Sequence, residues 1–322
     1  MGRRANRGAA LRRRTAIRNT LHTLALLGTM GGLLFVVANA LLGGWGALVV
    51  AAVAAAALLL MPRLMVTWRL RQLGARPTRP HQAPWLHGAV HSLAERAQLP
   101  RAPTVHVIPS PLLQAMALGD ADEAALVVTT GLLRGLGRRE LYGVLAHEMS
   151  HLEHGDTRVM RLAAVLSELT RWLAQVGLFA ALLMLPLVWL GLAELSLLVV
   201  LVLVAAPPVT RLLLLALSRT REFEADARAA ELTGDPAGLA LALATVERVT
   251  TRSWLRWLNP LARQEVPPWL RTHPDTWERI DRLMAMTPEG PTRAWAASRL
   301  AAARAEGSGP PAPPVRVVVR PW

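Results

Sequence analysis

The sequence contains no cysteine and no lysine among its 322 residues. The absence of cysteine excludes disulfide frameworks, thiolate zinc fingers, iron–sulfur clusters and cysteine nucleophiles, but it gives no information on the redox compartment. Any metal ion must therefore be held by His, Asp or Glu side chains. All 36 basic residues are arginines, and the formal net charge is +14. Because many of these arginines flank apolar runs, membrane topology explains them better than nucleic-acid binding, and we expect no nucleic-acid partner.

Charged residues are scarce as well, at 18% of the chain, whereas 52% of the residues are hydrophobic. The mean hydropathy of +0.31 is too high for an ordinary soluble protein. The length allows two or three domains. The composition therefore excludes disorder for most of the chain and favours a membrane protein.

Two apolar runs near the N-terminus, 20–42 and 43–62, contain no Asp, Glu or Arg. Each is long enough to cross the hydrocarbon core of a bilayer as a helix. We predict that they form a hairpin of two spans that turns at 43–46. A cleaved signal peptide is the alternative for the first run, but a second apolar run follows almost directly and no small-residue cleavage site leads into a polar mature start.

A second apolar block runs from Trp172 to Leu217, with only Glu194 and Arg211 charged. It predicts two further spans that turn near Glu194, which gives four spans in total. The alternative is a pair of buried core helices, for which the block is long. Pro186, Pro207 and Pro208 would kink these helices without forbidding them.

The placement of the arginines predicts the orientation in the bilayer. Seven arginines lie in residues 1–18, and the two predicted turns carry no basic residue. Five more follow the second span: Arg63, Arg69, Arg71, Arg76 and Arg79. By the positive-inside rule, we expect the N-terminus, the middle segment and everything after Leu217 to be cytoplasmic.

The soluble residues form the predicted working domain, which the second hairpin divides in two. The expected order is a basic tail 1–19, a hairpin 20–67, a first domain part 68–171, a second hairpin 172–217, a second domain part 218–304 and a Pro-rich flexible tail 305–322. Short β-rich segments at 104–108 and 126–130 predict strands, and 137–154 and 219–233 predict helices. The fold class is therefore mainly α with a small β-sheet, plus four transmembrane helices in two hairpins.

A His-Glu-x-x-His pattern lies in the first of these predicted helices. His147 and His151 are four residues apart, so both project from one helix face and can bind one zinc ion. Glu148 can take a proton from a water molecule on that ion, because zinc lowers the pKa of bound water to about 7. The helix also carries charged residues along its length, which argues against a site embedded in the membrane.

A catalytic zinc ion usually has a third protein ligand and one position for water. His154 lies seven residues after His147, about 10 Å along a helix axis, so one ion cannot bind both. Glu222 is the better candidate, because Asp226 shares its helix face and can hold a ligating histidine in one tautomer. Glu222 can meet the histidines only if an even number of spans separates them, which the second hairpin provides.

Three segments together carry a family resemblance. HEMSHLEHGD at 147–156, SRTREFEADARAAELTGDP at 218–236 and THPDTWERIDRL at 272–283 resemble the M48 membrane metallopeptidases, the HtpX type in particular. The resemblance covers roughly residues 20–285 and implies an α+β zincin-type domain joined to transmembrane helices. It also implies one zinc ion per chain, held by His147, His151 and Glu222, with Glu148 as the general base.

The same resemblance implies further site residues. The third segment places His273 and Arg279 in the active site, with His273 positioned to hydrogen-bond the substrate or the developing oxyanion. The family has an Asn-Ala-Phe-Ala edge strand against which an extended peptide pairs. Here the matching residues are Gln114, Ala115, Met116 and Ala117. We expect main-chain pairing to survive this departure, because it does not use the side chains, whereas the side-chain role of the Asn, and with it the cleavage preference, is not carried over.

The sequence therefore predicts a multi-pass zinc endopeptidase of the bacterial plasma membrane with a cytoplasmic active site. Its expected partners are the lipid bilayer and misfolded or damaged membrane proteins or other unfolded polypeptides, and no oligomeric state is predicted. A prenyl-protein (CAAX-type) processing protease is an alternative, although such proteases have more spans. A non-catalytic membrane scaffold with structural zinc is another, but such a site would need a fourth protein ligand.

Overall fold

The computed structural model describes residues 2–60, 62–120, 123–253 and 276–307. Ten helices and four strands lie in these residues. The helices are α1 (Gly2–Leu60), α2 (Pro62–Gln72), α3 (Pro84–Arg96), α4 (Thr130–Gly135), α5 (Arg138–Glu153), α6 (Asp156–Trp189), α7 (Leu197–Thr233), α8 (Pro236–Ser253), α9 (Thr276–Met286) and α10 (Pro291–Gly307). The strands are β1 (Arg76–Pro77), β2 (Thr104–Ile108), β3 (Ala115–Leu118) and β4 (Ala125–Thr129).

The chain divides into two compact units, each made from two separate segments. The first unit comprises Met1–Met65 and Gly155–Arg221, and the second comprises Val66–His154 and Glu222–Trp322. The first unit is helical, and the second contains the sheet.

Three helices among the described residues are long and apolar enough to cross a membrane. They are the part of α1 from Thr20 to Ala56, the whole of α6 and the whole of α7. The predicted turn near Glu194 falls between α6 and α7. The apolar block 172–217 is contained in two longer helices, because α6 already begins at Asp156 and α7 continues to Thr233. Hydropathy marks the ends of an apolar segment. It does not mark the ends of the helix, which can continue into polar residues on either side.

Helix α1 is interrupted at Gly43, where φ is +71° and ψ is 178°. Val50 nevertheless packs against the buried cluster of α1 and α6 that contains Met30, Leu34 and Leu166. In a straight helix, Val50 would lie about 24 Å from Leu34 along the axis. The chain therefore bends back at Gly43, a position where glycine tolerates a positive φ. Four separate transmembrane helices are not established by this geometry.

The outer faces of the helices in the first unit are strongly apolar. Trp45, Trp189 and Leu197 are each more than four-fifths exposed. A soluble surface seldom presents so many large apolar side chains, and such faces are typical of helices in contact with lipid. The structure therefore supports the prediction of a membrane protein.

A buried ion pair joins helices of the first unit. Arg221 of α7 lies 3.0 Å from Asp156 of α6, and it donates to the Thr23 hydroxyl of α1 at 2.7 Å. A buried charge is stable only when it is paired and hydrogen-bonded. This contact therefore fixes the three helices against one another at one level.

The second unit contains a mixed sheet with the strand order β1-β2-β4-β3. Strand β2 pairs parallel with β4, whereas β3 pairs antiparallel with β4. The predicted strand at 104–108 is confirmed, and the predicted strand at 126–130 begins and ends one residue earlier. Strand β3 lies at one edge of the sheet that the described residues form.

Helix α5 is the central helix of the second unit. It begins after Gly137, whose N–H donates to the Glu140 carboxylate at 2.9 Å. Its apolar face enters the main core through Leu141, Leu145, Met149 and Leu152. Arg139 forms an ion pair with Asp235 just before α8 and so ties the first turn of α5 to that helix.

Two glycine substitutions test the close packing of α5 against α8. A Cβ atom on Gly143 would lie 2.9 Å from the backbone nitrogen of Leu239 and 3.0 Å from its Cα. We expect Gly143→Ala to lower the free energy of unfolding of the second unit by about 1–3 kcal/mol. The matched change Gly88→Ala in α3 meets no atom within 4 Å and should stabilise by about 0.5–1 kcal/mol. Thermal unfolding measures both, and equal effects would contradict the close approach.

Candidate metal centre

The two histidines of the His-Glu-x-x-His pattern lie on one face of α5, as their spacing predicts. His147 is 6% exposed, and the Nε2 atoms of His147 and His151 are 3.3 Å apart. Their rings meet edge to face, with centroids 4.8 Å apart. Both rings therefore direct one nitrogen to the same point.

Helix α7 brings two carboxylates to that point. Glu222 and Asp226 are one turn apart and are 6% and 3% exposed. Two residues after Asp226, Arg228 makes a two-point ion pair with Glu153 of α5, at 2.8 and 2.9 Å. This pairing fixes α7 against the end of α5 and sets the level at which Glu222 meets the histidines.

The three candidate ligands converge closely. The Nε2 atom of His147 lies 3.3 Å from Oε2 of Glu222, and Nε2 of His151 lies 3.9 Å from Oε1 of Glu222. One ligand atom from each of the three residues lies within 4.8 Å of the other two. Ligands about 2.0–2.1 Å from a tetrahedral ion such as zinc are about 3.3–3.4 Å apart. The donor set and the spacing therefore fit a metal ion with three protein ligands.

Asp226 orients His147 from the other side of the ring. Its Oδ1 atom lies 3.0 Å from Nδ1 of His147, which leaves Nε2 directed at His151 and Glu222. A carboxylate in this position holds a ligating imidazole in one tautomer. Asp226 therefore stands where the sequence predicts a supporting carboxylate.

The same carboxylates change the protonation of His147. Burial by itself disfavours the imidazolium ion, but hydrogen bonds to Asp226 and Glu222 outweigh it and raise the pKa of His147 to about 10. A proton and a metal ion compete for the same imidazole, so metal binding here releases a proton.

Arg279 of α9 completes the buried cluster. Its Nε and Nη2 atoms donate to the two oxygens of Asp226, each at 2.7 Å. Its Nη1 atom lies 2.8 Å from Oε2 of Glu222. Although burial alone favours the neutral form, the hydrogen bond to Asp226 and the nearby carboxylates raise the pKa of Arg279 above its ordinary value. The guanidinium group therefore carries a full positive charge among the carboxylates.

Glu148 faces the sheet. Its Oε2 atom accepts a hydrogen bond from the backbone N–H of Ala117, at 2.9 Å. Ala117 lies on the edge strand β3, next to the buried Met116. The structure therefore places the predicted general base beside the predicted substrate strand.

The remaining predicted residues fall in different places. Gln114 precedes β3, which begins at Ala115 and ends one residue later than the predicted segment. His154 caps α5, and its Nδ1 atom lies 2.9 Å from the Ser150 carbonyl oxygen, consistent with its exclusion as a ligand. His273 lies outside the described residues.

Three contacts of the site carry no signal in the sequence pattern. These are the Arg279 contacts with Asp226 and Glu222, the Ala117 bond to Glu148 and the Arg228–Glu153 pair. Each joins elements that are distant in the chain, so helical periodicity and spacing give no information on them. The segment resemblance alone pointed to Arg279.

Comparisons with known proteins agree with this geometry. The sequence profile of peptidase family M48 matches residues 80–287. A protease HtpX homolog of Acaryochloris marina is 38% identical over 289 residues, covering 83% of this chain and 94% of the relative. Protease HtpX homologs of Methylibium petroleiphilum and Nostoc punctiforme are each 32% identical and cover 84% and 86% of this chain and 99% of each relative.

The raised pKa of His147 predicts how metal affinity depends on pH. Because binding displaces a proton from His147 below pH 10, the affinity should rise by about tenfold per pH unit across neutral pH. Conversely, the stability that this proton gives to chelator-treated protein is present below about pH 6.5 and is lost as the pH rises through about 10. Competition with a chromophoric chelator at pH 7 and 8 measures the slope. His154→Gln should leave it unchanged, and a flat profile in the unmodified protein would contradict the protonation of His147.

Proposed function

The chain belongs to peptidase family M48 and is an HtpX-like membrane protease, and from that premise we propose that it is a zinc endopeptidase that hydrolyses misfolded or damaged membrane proteins on the cytoplasmic side. The observation that carries this proposal is the convergence of His147, His151 and Glu222 beside Glu148. In the described part of the chain this group has three ligands. Three protein ligands and one open position are typical of catalytic zinc, whereas structural zinc has four.

The proposed reaction is the addition of water to a peptide bond. A zinc ion held by His147, His151 and Glu222 would polarise the scissile carbonyl and acidify the attacking water. Glu148 takes a proton from that water as its oxygen bonds to the carbonyl carbon, and it passes the proton to the leaving amine nitrogen as the C–N bond breaks. His273 is proposed to hydrogen-bond the oxyanion.

The orientation of Glu148 supports its role as the base. Its side chain could rotate freely if it were solvated, but the Ala117 N–H holds Oε2 at 2.9 Å. A base must lie within hydrogen-bond reach of the proton that it takes. Its anchor on the edge strand keeps the carboxylate between the histidines and the predicted path of the peptide.

The register of β3 supports binding of an extended substrate. The Thr129 N–H donates to the Gln114 carbonyl at 3.0 Å, so Gln114 lies at a hydrogen-bonded position beside β4. Bonded and non-bonded pairs alternate, and Ala115 and Ala117 therefore direct their N–H and C=O groups away from β4. Of these outward groups, the Ala117 N–H donates to Glu148, and we propose that the others pair with the main chain of a peptide. We propose that contacts of Gln114 and Met116 with the peptide side chains contribute less.

The proposed topology has four spans in the bacterial plasma membrane. It is supported by the three apolar helices and by the reversal of α1 at Gly43, which would divide that helix into two spans. The arginines of residues 1–18 and those that follow residue 62 would then lie on the cytoplasmic side.

Removal of the base tests the reaction. We expect Glu148→Gln to bind zinc with unchanged stoichiometry and to lose about 10²–10⁴-fold in the rate of cleavage of casein and of an unfolded membrane protein. Glu140→Gln on the same helix is the matched control, because Gln can also accept the Gly137 N–H. Elemental analysis and a chelator-controlled cleavage assay measure the two quantities. Unchanged proteolysis in Glu148→Gln would refute the assignment.

The absence of cysteine makes the topology testable with a single thiol. Ala102→Cys lies on the exposed surface of the second unit, and Ser196→Cys lies in the exposed connection between α6 and α7. We expect a membrane-impermeant maleimide to label Ser196→Cys in intact cells and Ala102→Cys only after lysis, because the two positions should lie on opposite sides of the bilayer. The reverse pattern would show that the orientation is wrong.

A further inference from the structure

Thr129 is a buried residue beside the start of the edge strand β3. It is the last residue of β4 and the N-cap of α4, and it is 3% exposed. Its N–H donates to the Gln114 carbonyl at 3.0 Å. In a regular antiparallel ladder, the Thr129 carbonyl would accept the Gln114 N–H in return. Here the Gln114 N–H donates to the Thr129 hydroxyl, at 3.1 Å.

The start of α4 explains why a side chain takes this place. The carbonyl of an N-cap residue accepts the first hydrogen bond of its helix. Because Thr129 belongs both to β4 and to α4, its carbonyl turns toward the helix, and its hydroxyl provides the acceptor for Gln114. A side-chain oxygen thus forms one half of the first rung between β3 and β4.

The Thr129 hydroxyl uses its whole hydrogen-bonding capacity. A threonine hydroxyl has one donor and two acceptor positions. It donates to the Leu112 carbonyl, and it accepts the N–H groups of Gln114 and Leu132 at 3.1 and 3.2 Å. One buried oxygen therefore joins the segment before β3 to the end of β4 and to the first turn of α4.

The segment before β3 is held against the same helix start further upstream. The Thr130 hydroxyl and the Gly131 N–H both donate to the Ser110 carbonyl, at 2.9 and 2.8 Å. A Cβ atom on Gly131 would lie 2.2 Å from the Pro111 carbonyl oxygen. These contacts fix residues 110 and 111, whereas Gln114 is held by Thr129.

Gln114 directly precedes a residue that faces the proposed substrate. Ala115 directs its N–H and C=O groups away from β4. A strand end that frays must be ordered when a peptide pairs with it, and this ordering lowers the affinity. An anchor at Gln114 therefore prepares Ala115 for pairing. Ala117 has a separate anchor, because its N–H donates to Glu148.

We propose that Thr129 is a positioning residue whose hydroxyl fixes the first rung of β3 and so pre-organises Ala115 for pairing with the main chain of the substrate. The inference rests on the proposed protease function. Since Ala117 and Glu148 hold each other independently of this rung, the hydroxyl acts on substrate binding and leaves the chemical step unchanged.

The test uses the full-length, zinc-loaded protein in detergent, with fluorescein-labelled casein as the substrate. Thr129→Val removes the hydroxyl and keeps a side chain of similar shape, and Thr129→Ser keeps the hydroxyl. Thr130→Val is the matched control, because it removes the neighbouring hydroxyl, which bonds to Ser110. Initial rates give KM and kcat. Amide hydrogen exchange, followed by mass spectrometry, measures the protection of residues 113–118.

We expect Thr129→Val to raise KM by about three- to tenfold, the range of one lost hydrogen bond. Its kcat should change by less than about twofold, because the loss of binding that is equal in the ground state and the transition state raises KM alone. The amides of Gln114 and Ala115 should exchange faster. Thr129→Ser and Thr130→Val should keep the KM and the exchange of the unmodified protein.

A merely structural role would give another result. Partial unfolding lowers the amount of active protein, and with it the apparent kcat, but leaves KM unchanged. An unchanged KM in Thr129→Val, an equal rise in Thr130→Val, or no recovery in Thr129→Ser would therefore contradict the positioning role. If Thr129→Val does not fold, Thr129→Cys takes its place, because a thiol is a weak acceptor. Equal KM values for Thr129→Cys and Thr129→Ser would then contradict the proposal.

Failure of the proposed function is a separate outcome. If the unmodified protein does not cleave casein, or cleaves it equally well after treatment with a chelator, the proposed function fails and this inference fails with it. If cleavage depends on the metal but KM is unchanged in Thr129→Val, the positioning role alone is contradicted.

Discussion

The site depends on the burial of two carboxylates one helical turn apart. Glu222 and Asp226 are almost completely enclosed, and two negative charges so close together would repel each other strongly in an apolar interior. The structure compensates them with His147 on one side and Arg279 on the other. Helices α5, α7 and α9 must therefore approach one another at this level, and the packing of the second unit follows from that requirement.

Local geometry made the ligand set predictable. Residues four apart on a helix share a face, so the pairs His147–His151 and Glu222–Asp226 could be recognised without any knowledge of tertiary structure. The contacts of Arg279 with Asp226 and Glu222 could not be derived in this way, because they depend on how α9 packs against α7. The same limit applies to the bond between Ala117 and Glu148, which joins a strand edge to a helix. Residue patterns identify the donors, whereas tertiary packing decides what each donor contacts.

Hydropathy located the apolar segments of the first unit but not the helix ends. The predicted turn near Glu194 agrees with the structure, since a charged residue and a glycine interrupt the apolar run there. Helices α6 and α7 extend beyond the apolar residues because their polar turns are still good helix formers. The break at Gly43 lies within the turn predicted at 43–46, and it uses a backbone conformation that glycine permits.

The hydrogen bond from Ala117 to Glu148 has a consequence for which peptide bonds the proposed enzyme can cleave. In the proposed function, one short strand both aligns the incoming backbone and orients Glu148, the base that takes a proton from the attacking water. Successive residues of a paired strand face alternate sides, so a polypeptide displaced by a single residue would turn its hydrogen-bonding groups away from Ala115 and Ala117. Productive alignments would then recur at intervals of two residues. Such an enzyme would select substrates by the spacing of their main-chain hydrogen-bonding groups. A folded segment whose backbone groups are already paired would not be cleaved, whatever its side chains.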